Sequence, residues 1–257
     1  MRPTISPGAK TCLPHPSPCG YPDATNTGVP NGIALVPSTG VLTITTSGAV
    51  ISGRDVTGHI EVDANNVTIK DSRITTNQFF GVYTGPGFGG TIVSDVTIIG
   101  STAGGGRCDV GVQGGAFHAT RVNVSNRSDG FHLTGSASVV DSYFHHPYFT
   151  ATSHNDGIQV FAGTGLVIRH NTIDMGGPNG NSCIFVQPMS GVIKGVTIDS
   201  NLLDGGGFTL YIEESTGVVL SKNRIGAGFN YAWFSHAHNS HGVAIKRNIW
   251  DNGSLIT

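Results

Sequence analysis

One eight-residue pattern, apolar-x-apolar-x-x-Asn/Ser-x-apolar, returns about every 25 residues along most of this chain. Its clearest copies are VTIKDSRI from Val67, LVIRHNTI from Leu166, VTIDSNLL from Val196, VVLSKNRI from Val218 and VAIKRNIW from Val243. Weaker copies begin at Thr91 (TIVSDVTI), Phe117 (FHATRVNV) and Ala137 (ASVVDSYF). The sixth positions are Ser72, Val96, Val122, Ser142, Asn171, Asn201, Asn223 and Asn248, at steps of 24, 26, 20, 29, 30, 22 and 25 residues. A unit of that size is too small to bury an apolar face alone, so it must stack on its neighbours.

Within each copy Val and Ile alternate with polar residues, which is the two-residue period of a strand; no segment sustains helical spacing. Between copies lies a second strand signal flanked by turn residues: DVGVQGG from Asp109, DGFHLTG from Asp129, DGIQVFAG from Asp156, SCIFVQP from Ser182, TLYIEES from Thr209 and AWFSHAH from Ala232. Two or three short strands per repeat, with equivalent strands pairing in parallel, give an all-β solenoid, a parallel β-helix of about eight to nine coils. Asn at the sixth position fits a turn, because it tolerates left-handed backbone and its amide can bond the equivalent turn above and below. That column resembles the internal asparagine ladder of right-handed parallel β-helix proteins, which assigns Asn171, Asn201, Asn223 and Asn248 a structural role.

A continuous repeat without a linker argues for one domain across the 257 residues. Residues 1–19 read as an extended Pro-rich arm and 20–257 as the solenoid, with 20–50 as its N-terminal cap and DNGSLIT closing the other end. The arm, if ordered, is expected to be held by something outside the solenoid. Only 12% of residues are charged and the net charge is −2, without a basic run, so the footprint of a nucleic-acid module is missing. There is also no apolar stretch long enough to span a membrane, and no apolar h-region at the N-terminus. Cys12 and Cys19 are placed for either a small disulfide loop or free thiols, and Cys108 and Cys183 fall in separate repeats.

Chemistry in a solenoid sits on a lateral face, where outward side chains and long inter-strand loops meet. The rungs that break the period carry HHPYFTATSHNDG (from His145) and DMGGPNGNS (from Asp174), beside the column Asp109, Asp129, Asp156. Asp129 and Asp156 are 27 residues apart, one coil, which makes them stacked neighbours, with His132 and Gln159 as equivalents. Two adjacent carboxylates push their pKa values apart and leave an acid beside a base, the logic of a glycosidase, with His132 or His154 as proton carrier. Asp129, Asp156, His132 and His154 are therefore the candidate catalytic residues. Gln159, Arg127, His145, His146, Tyr211, Glu213 and Trp233 are candidates for glycan contact. Asp-Gly also occurs as ordinary turn chemistry. A lyase would need a cationic base from among Arg107, Arg127, Lys194 and Lys222, in no recognisable spacing. His236 and His238 share a strand face, but no carboxylate or Cys accompanies them, so no metal or other cofactor is expected.

PDATNTGVPNG (Pro22–Gly32), TITTSGAVISGRDVTG, NNVTIKDSRI and HNDGIQV resemble a family of right-handed parallel β-helix proteins from actinobacteria and their bacteriophages. The resemblance spans most of residues 20–257 and implies a β-helix that is either a virion-surface or tail-associated protein recognising host cell-wall glycan, or a secreted glycan-cleaving enzyme. It implies an extracellular location, contact with other tail proteins through the N-terminal arm, and a possible homotrimer.

Overall fold

The computed structural model describes residues 11–102, 109–237 and 241–256. Its strands form one parallel solenoid in which each strand pairs with its equivalent in the next coil. One outward column, in register through Val50, Thr68, Ile92, His118, Ser138, Val167, Thr197, Val219 and Ala244, counts nine coils.

The repeating octapeptide bends at a corner, within a single strand in its first two copies and between two short strands in the later ones. Its fifth residue is left-handed in every copy: Asp71, Asp95, Arg121, Asp141, His170, Ser200, Lys222 and Arg247 have φ between 49 and 57°. The chain turns there from one face of the solenoid to the next. The sixth residue, expected to supply the left-handed backbone, has ordinary φ and supplies the bonding instead. Ser142 N–H donates to Asn171 Oδ1 (2.9 Å), Asn171 N–H to Asn201 Oδ1 (2.9 Å), Asn201 N–H to Asn223 Oδ1 (3.0 Å) and Asn223 N–H to Asn248 Oδ1 (2.9 Å). The amide nitrogens of Asn171, Asn201, Asn223 and Asn248 donate to the carbonyls of Val139, Ile168, Ile198 and Leu220. The amides of the ladder are thereby satisfied, and the ladder is structural as expected.

Apolar residues flanking the corner fill the interior: Val67, Ile69 and Ile74 in one coil are matched by Leu166, Ile168 and Ile173 and by Val218, Leu220 and Ile225 in others, all essentially inaccessible. The third face of the triangular coil holds the strands Phe80–Thr84, Val110–Gly114, Asp129–Leu133, Asp156–Val160, Ser182–Val186, Phe208–Glu213 and Ala232–Ala237. Gly130 and Gly157 do not serve turns here, since neither has positive φ. They sit within strands where the opposite wall closes in: a Cβ on Gly157 would lie 2.3 Å from Ile173 Cγ2, and one on Gly130 would lie 2.9 Å from Phe144 Cδ2. The Asp-Gly dipeptides thus combine an outward acid with an inward position too tight for a side chain.

The N-terminal segment departs from expectation. From Thr11 it runs as a strap along the solenoid, from the last coils back to the first. Cys12 and Leu13 N–H donate to the Asp251 carboxylate (2.9 and 3.2 Å), and Cys12 is bridged to Cys19. Midway, the Tyr21 ring stacks on His170, whose Nε2 bonds the Gly20 carbonyl (2.8 Å). Further on, Gly28 N–H donates to Arg121 O (2.8 Å) and Val29 N–H to Thr97 Oγ1 (3.0 Å). Gly28 is required at φ 78°, where a Cβ would press within 2.3 Å of Thr97 Oγ1. From Thr11 onward the arm is therefore held by this chain's own coils. Residues 20–31 belong to that strap. The first coil is built instead by Val36–Ile44 and Val50–Ser52. At the other end the final residues fold back as expected, with Leu255 bridging Ile249. No helix among the described residues is long and apolar enough to cross a membrane.

Candidate functional site

The third face carries one outward side-chain column in strict register: Tyr83, Gln113, His132, Gln159, Phe185 and Tyr211. His132 and Gln159 are equivalents, and Asp129 and Asp156 are neighbours, because the 27-residue step is one coil. Asp109 is not in that register. Asp129 pairs with Val110 and donates its N–H to the Asp109 carbonyl (2.7 Å), so the acid falls one residue short.

The two carboxylates differ in what holds them. Asp129 Oδ1 accepts the Asp156 N–H (2.8 Å) and Oδ2 lies 2.6 Å from His132 Nε2. The other His132 nitrogen meets Gln113 Oε1 (2.7 Å), and Phe161 packs on the ring at 4.6 Å. Burial raises the Asp129 pKa, with the His132 contact pulling the other way. This Gln-His-Asp chain leaves neither ring nitrogen facing outward and acts as an internal brace.

Asp156 is fully buried. Its Oδ1 accepts from Asn181 Nδ2 (3.0 Å) and from the Ser182 hydroxyl. Its Oδ2 is 2.9 Å from His154 Nδ1, an ion-pair contact too oblique to be an aligned hydrogen bond. The His154 side chain is 57% exposed. Contact with the Asp156 carboxylate outweighs partial burial and raises the His154 pKa. Asn155 fixes the loop that delivers this histidine, since its Nδ2 donates to Ser128 O (3.1 Å) and Tyr148 O (2.9 Å). Of the four candidate catalytic residues, His154 alone is well placed to reach solvent.

From His154 a strip of rings continues down the face: to Phe185 (5.7 Å between centroids), Tyr211 (5.0 Å), Phe208 (5.1 Å) and Tyr231 (5.3 Å). Beside it Gln187 Nε2 donates to Glu213 Oε2 (2.7 Å), and the Glu213 carboxylate bonds Tyr211 and raises its pKa. Gln159 is buried against Met189, with Nε2 3.3 Å from the sulfur.

Other candidates lie elsewhere. Arg127 is fully buried, its guanidinium donating to the carbonyls of Gln78 (2.9 Å), Phe79 (2.5 Å) and Val110 (2.8 Å), so it ties three segments together and meets no ligand. His145 and His146 sit on the neighbouring face, where His145 bonds Asn123 Oδ1 (3.0 Å), stacks on Tyr143, and has its pKa pushed down to about 4 by burial and by His146. Trp233 packs against the core, edge-on to Trp250 at 6.5 Å, instead of facing the site. His236 is exposed near Phe234, whereas His238, Arg107 and Cys108 lie outside the described residues. Among the described residues no His, Cys, Asp and Glu group has the arrangement to hold a metal ion.

Phe185 and Phe208 are members of the strip that the sequence did not single out. SCIFVQP reads as a continuous apolar run, and only the register with Gln159 reveals which residue points outward.

A family model described as right handed beta helix region matches residues 110–255, more than half of the chain and all of the strip. The chain belongs to this family. The match agrees with the parallel solenoid and concerns fold, which many proteins with unrelated sites share. No curated protein and no solved structure matches the chain.

Proposed function

We propose that this protein recognises an extracellular glycan along its third face, as a virion-surface or tail-associated β-helix contacting the host cell surface. The observation that carries the recognition is the strip His154, Tyr211, Phe208 and Tyr231, which reaches solvent along the solenoid axis with Phe185, only 4% exposed, packed behind it. Aromatic faces stack on the C–H faces of sugar rings, while the bordering Gln187, Glu213 and Asn181 supply donors and acceptors for hydroxyls. Phe185, Phe208, Tyr211 and Glu213 are fixed in advance by strand pairing, so little of their ordering is lost on binding. A linear polymer lying along the axis would meet the same strand spacing, about 4.8 Å, at every step. The placement on a virion rests on the sequence resemblance and not on the site.

A second reading, glycan cleavage, has one observation in its favour: an outward imidazole backed by a buried carboxylate, the usual arrangement of an acid–base histidine. A two-carboxylate mechanism lacks that support, because Asp129 and Asp156 are both buried and bonded within the protein. One screen separates the readings. Purified protein is incubated with cell-wall polysaccharides, and retention, reducing ends and unsaturated products are all measured. Retention without products, weakened about tenfold or more by Tyr211→Ala as expected of a central aromatic contact, supports recognition. Products abolished by His154→Ala would replace it with catalysis, and absence of both would refute the glycan reading.

A further inference from the structure

The two ends of the solenoid are unlike. The last coil is covered at one corner, by Leu255 on Ile249 and by the strap on Asp251, while Ala232–Ala237 and Ala244–Lys246 pair only inward. The first coil has no such cover among the described residues: Val36–Ile44 pairs only with Arg54–Val62, and Val50–Ser52 only with Thr68–Thr76. The Val36 N–H bonds the Gly53 carbonyl and the Ile44 carbonyl accepts from Asp63, which points the even-numbered backbone groups at the second coil. Pro37, Thr39, Val41 and Thr43 therefore turn theirs to the open side, where Pro37 has no N–H to offer.

Proteins usually guard such an edge with charge, and this one does not. From Ala24 to Gly53 there is no charged residue and no histidine. Large exposed apolar residues gather here instead, with Ile33, Val36, Val41 and Val50 at 41, 55, 54 and 60% exposure.

We propose that this edge is an interface between two copies of the chain, the Val36–Ile44 strands pairing antiparallel about a two-fold axis through Gly40. Gly40 is the middle residue of the nine and forms the corner between two faces (φ 90°), so each half of the bent edge lies opposite the other half of its mate. An uncharged edge does not repel its own copy. Head-to-tail stacking would set this uncharged edge against a last coil that carries the exposed Lys246 and Arg247, whereas a two-fold axis sets it against its own uncharged mate in an isologous, self-limiting arrangement.

The test is the solution mass of the described chain by sedimentation and light scattering across a wide concentration range. The expected result is a reversible species of twice the 26.7 kDa monomer mass. Val41→Lys should raise its dissociation constant roughly tenfold, and Thr39→Lys with Val41→Lys should raise it further, because residues 39 and 41 face each other across the axis. At concentrations low enough for wild type to be monomeric, thermal unfolding of both variants should match it, since both side chains are exposed. Ile245→Lys, on the last coil, should leave the dimer intact. A wild type that stays monomeric at every concentration, or a dimer indifferent to both edge variants, overturns the proposal.

Discussion

Replacing Asn201 by alanine removes the middle rung of the ladder, and its cost can be worked bond by bond. The side-chain oxygen accepts from Asn171 N–H (2.9 Å) and Asn171 Nδ2 (3.0 Å), and its nitrogen donates to Ile168 O (3.0 Å) and Asn223 Oδ1 (2.9 Å). Four bonds at a net value of about 1 kcal/mol each give ~4 kcal/mol. The Asn171 N–H then stands in a dry interior without its acceptor, which keeps the loss from relaxing away. Asn248, at the end of the ladder, makes three such bonds, so Asn248→Ala should cost ~3 kcal/mol. Set against a typical total of roughly 5–15 kcal/mol, either loss is plain in equilibrium urea unfolding followed by circular dichroism. A loss below ~1 kcal/mol for Asn201→Ala would refute the claim that the amide network holds the coils together.

Three further outcomes are expected. Gly157→Ala drives a Cβ to 2.3 Å from Ile173 and should lower stability by ~1–3 kcal/mol or more, whereas tolerance would return the Asp-Gly pairs to turn chemistry. Asp251→Ala removes the acceptor for Cys12 and Leu13 and the partner of Arg224, so hydrogen exchange should quicken along the strap near Leu13; unchanged protection would mean that the strap is held by something else. His154 has a raised pKa, so the stability it adds through Asp156 is fully present below the ordinary histidine range and fades as pH rises through the raised value. An NMR titration should place its midpoint above that of an exposed histidine, and Asp156→Asn should bring it back; an unshifted midpoint in wild type would dissolve the pairing.

The solenoid was legible because its period, its alternating Val and Ile and its Asn column all point the same way. The stacking of Asp129 on Asp156 was legible too, since a 27-residue step matches one coil. The corner inside the octapeptide was not, because Asp or His, which favour left-handed backbone, fills that position in only four of the eight copies, with Arg, Ser or Lys in the others. Nor was the strap, whose anchors join residues as distant as Cys12 and Asp251. Arg127 looked like a surface cation, and only the fold shows it buried among carbonyls it could not have met in sequence. Asp109 shows the limit of counting: a coil shorter by one residue moves an acid out of its column.

The most direct test of the account is a crystal structure with a bound oligosaccharide drawn from whichever polysaccharide retains the protein. Sugar density along Tyr211, Phe208 and Tyr231, with its long axis following the coils, is the predicted result. Sugar bound on another face, with this strip left to solvent, would contradict it.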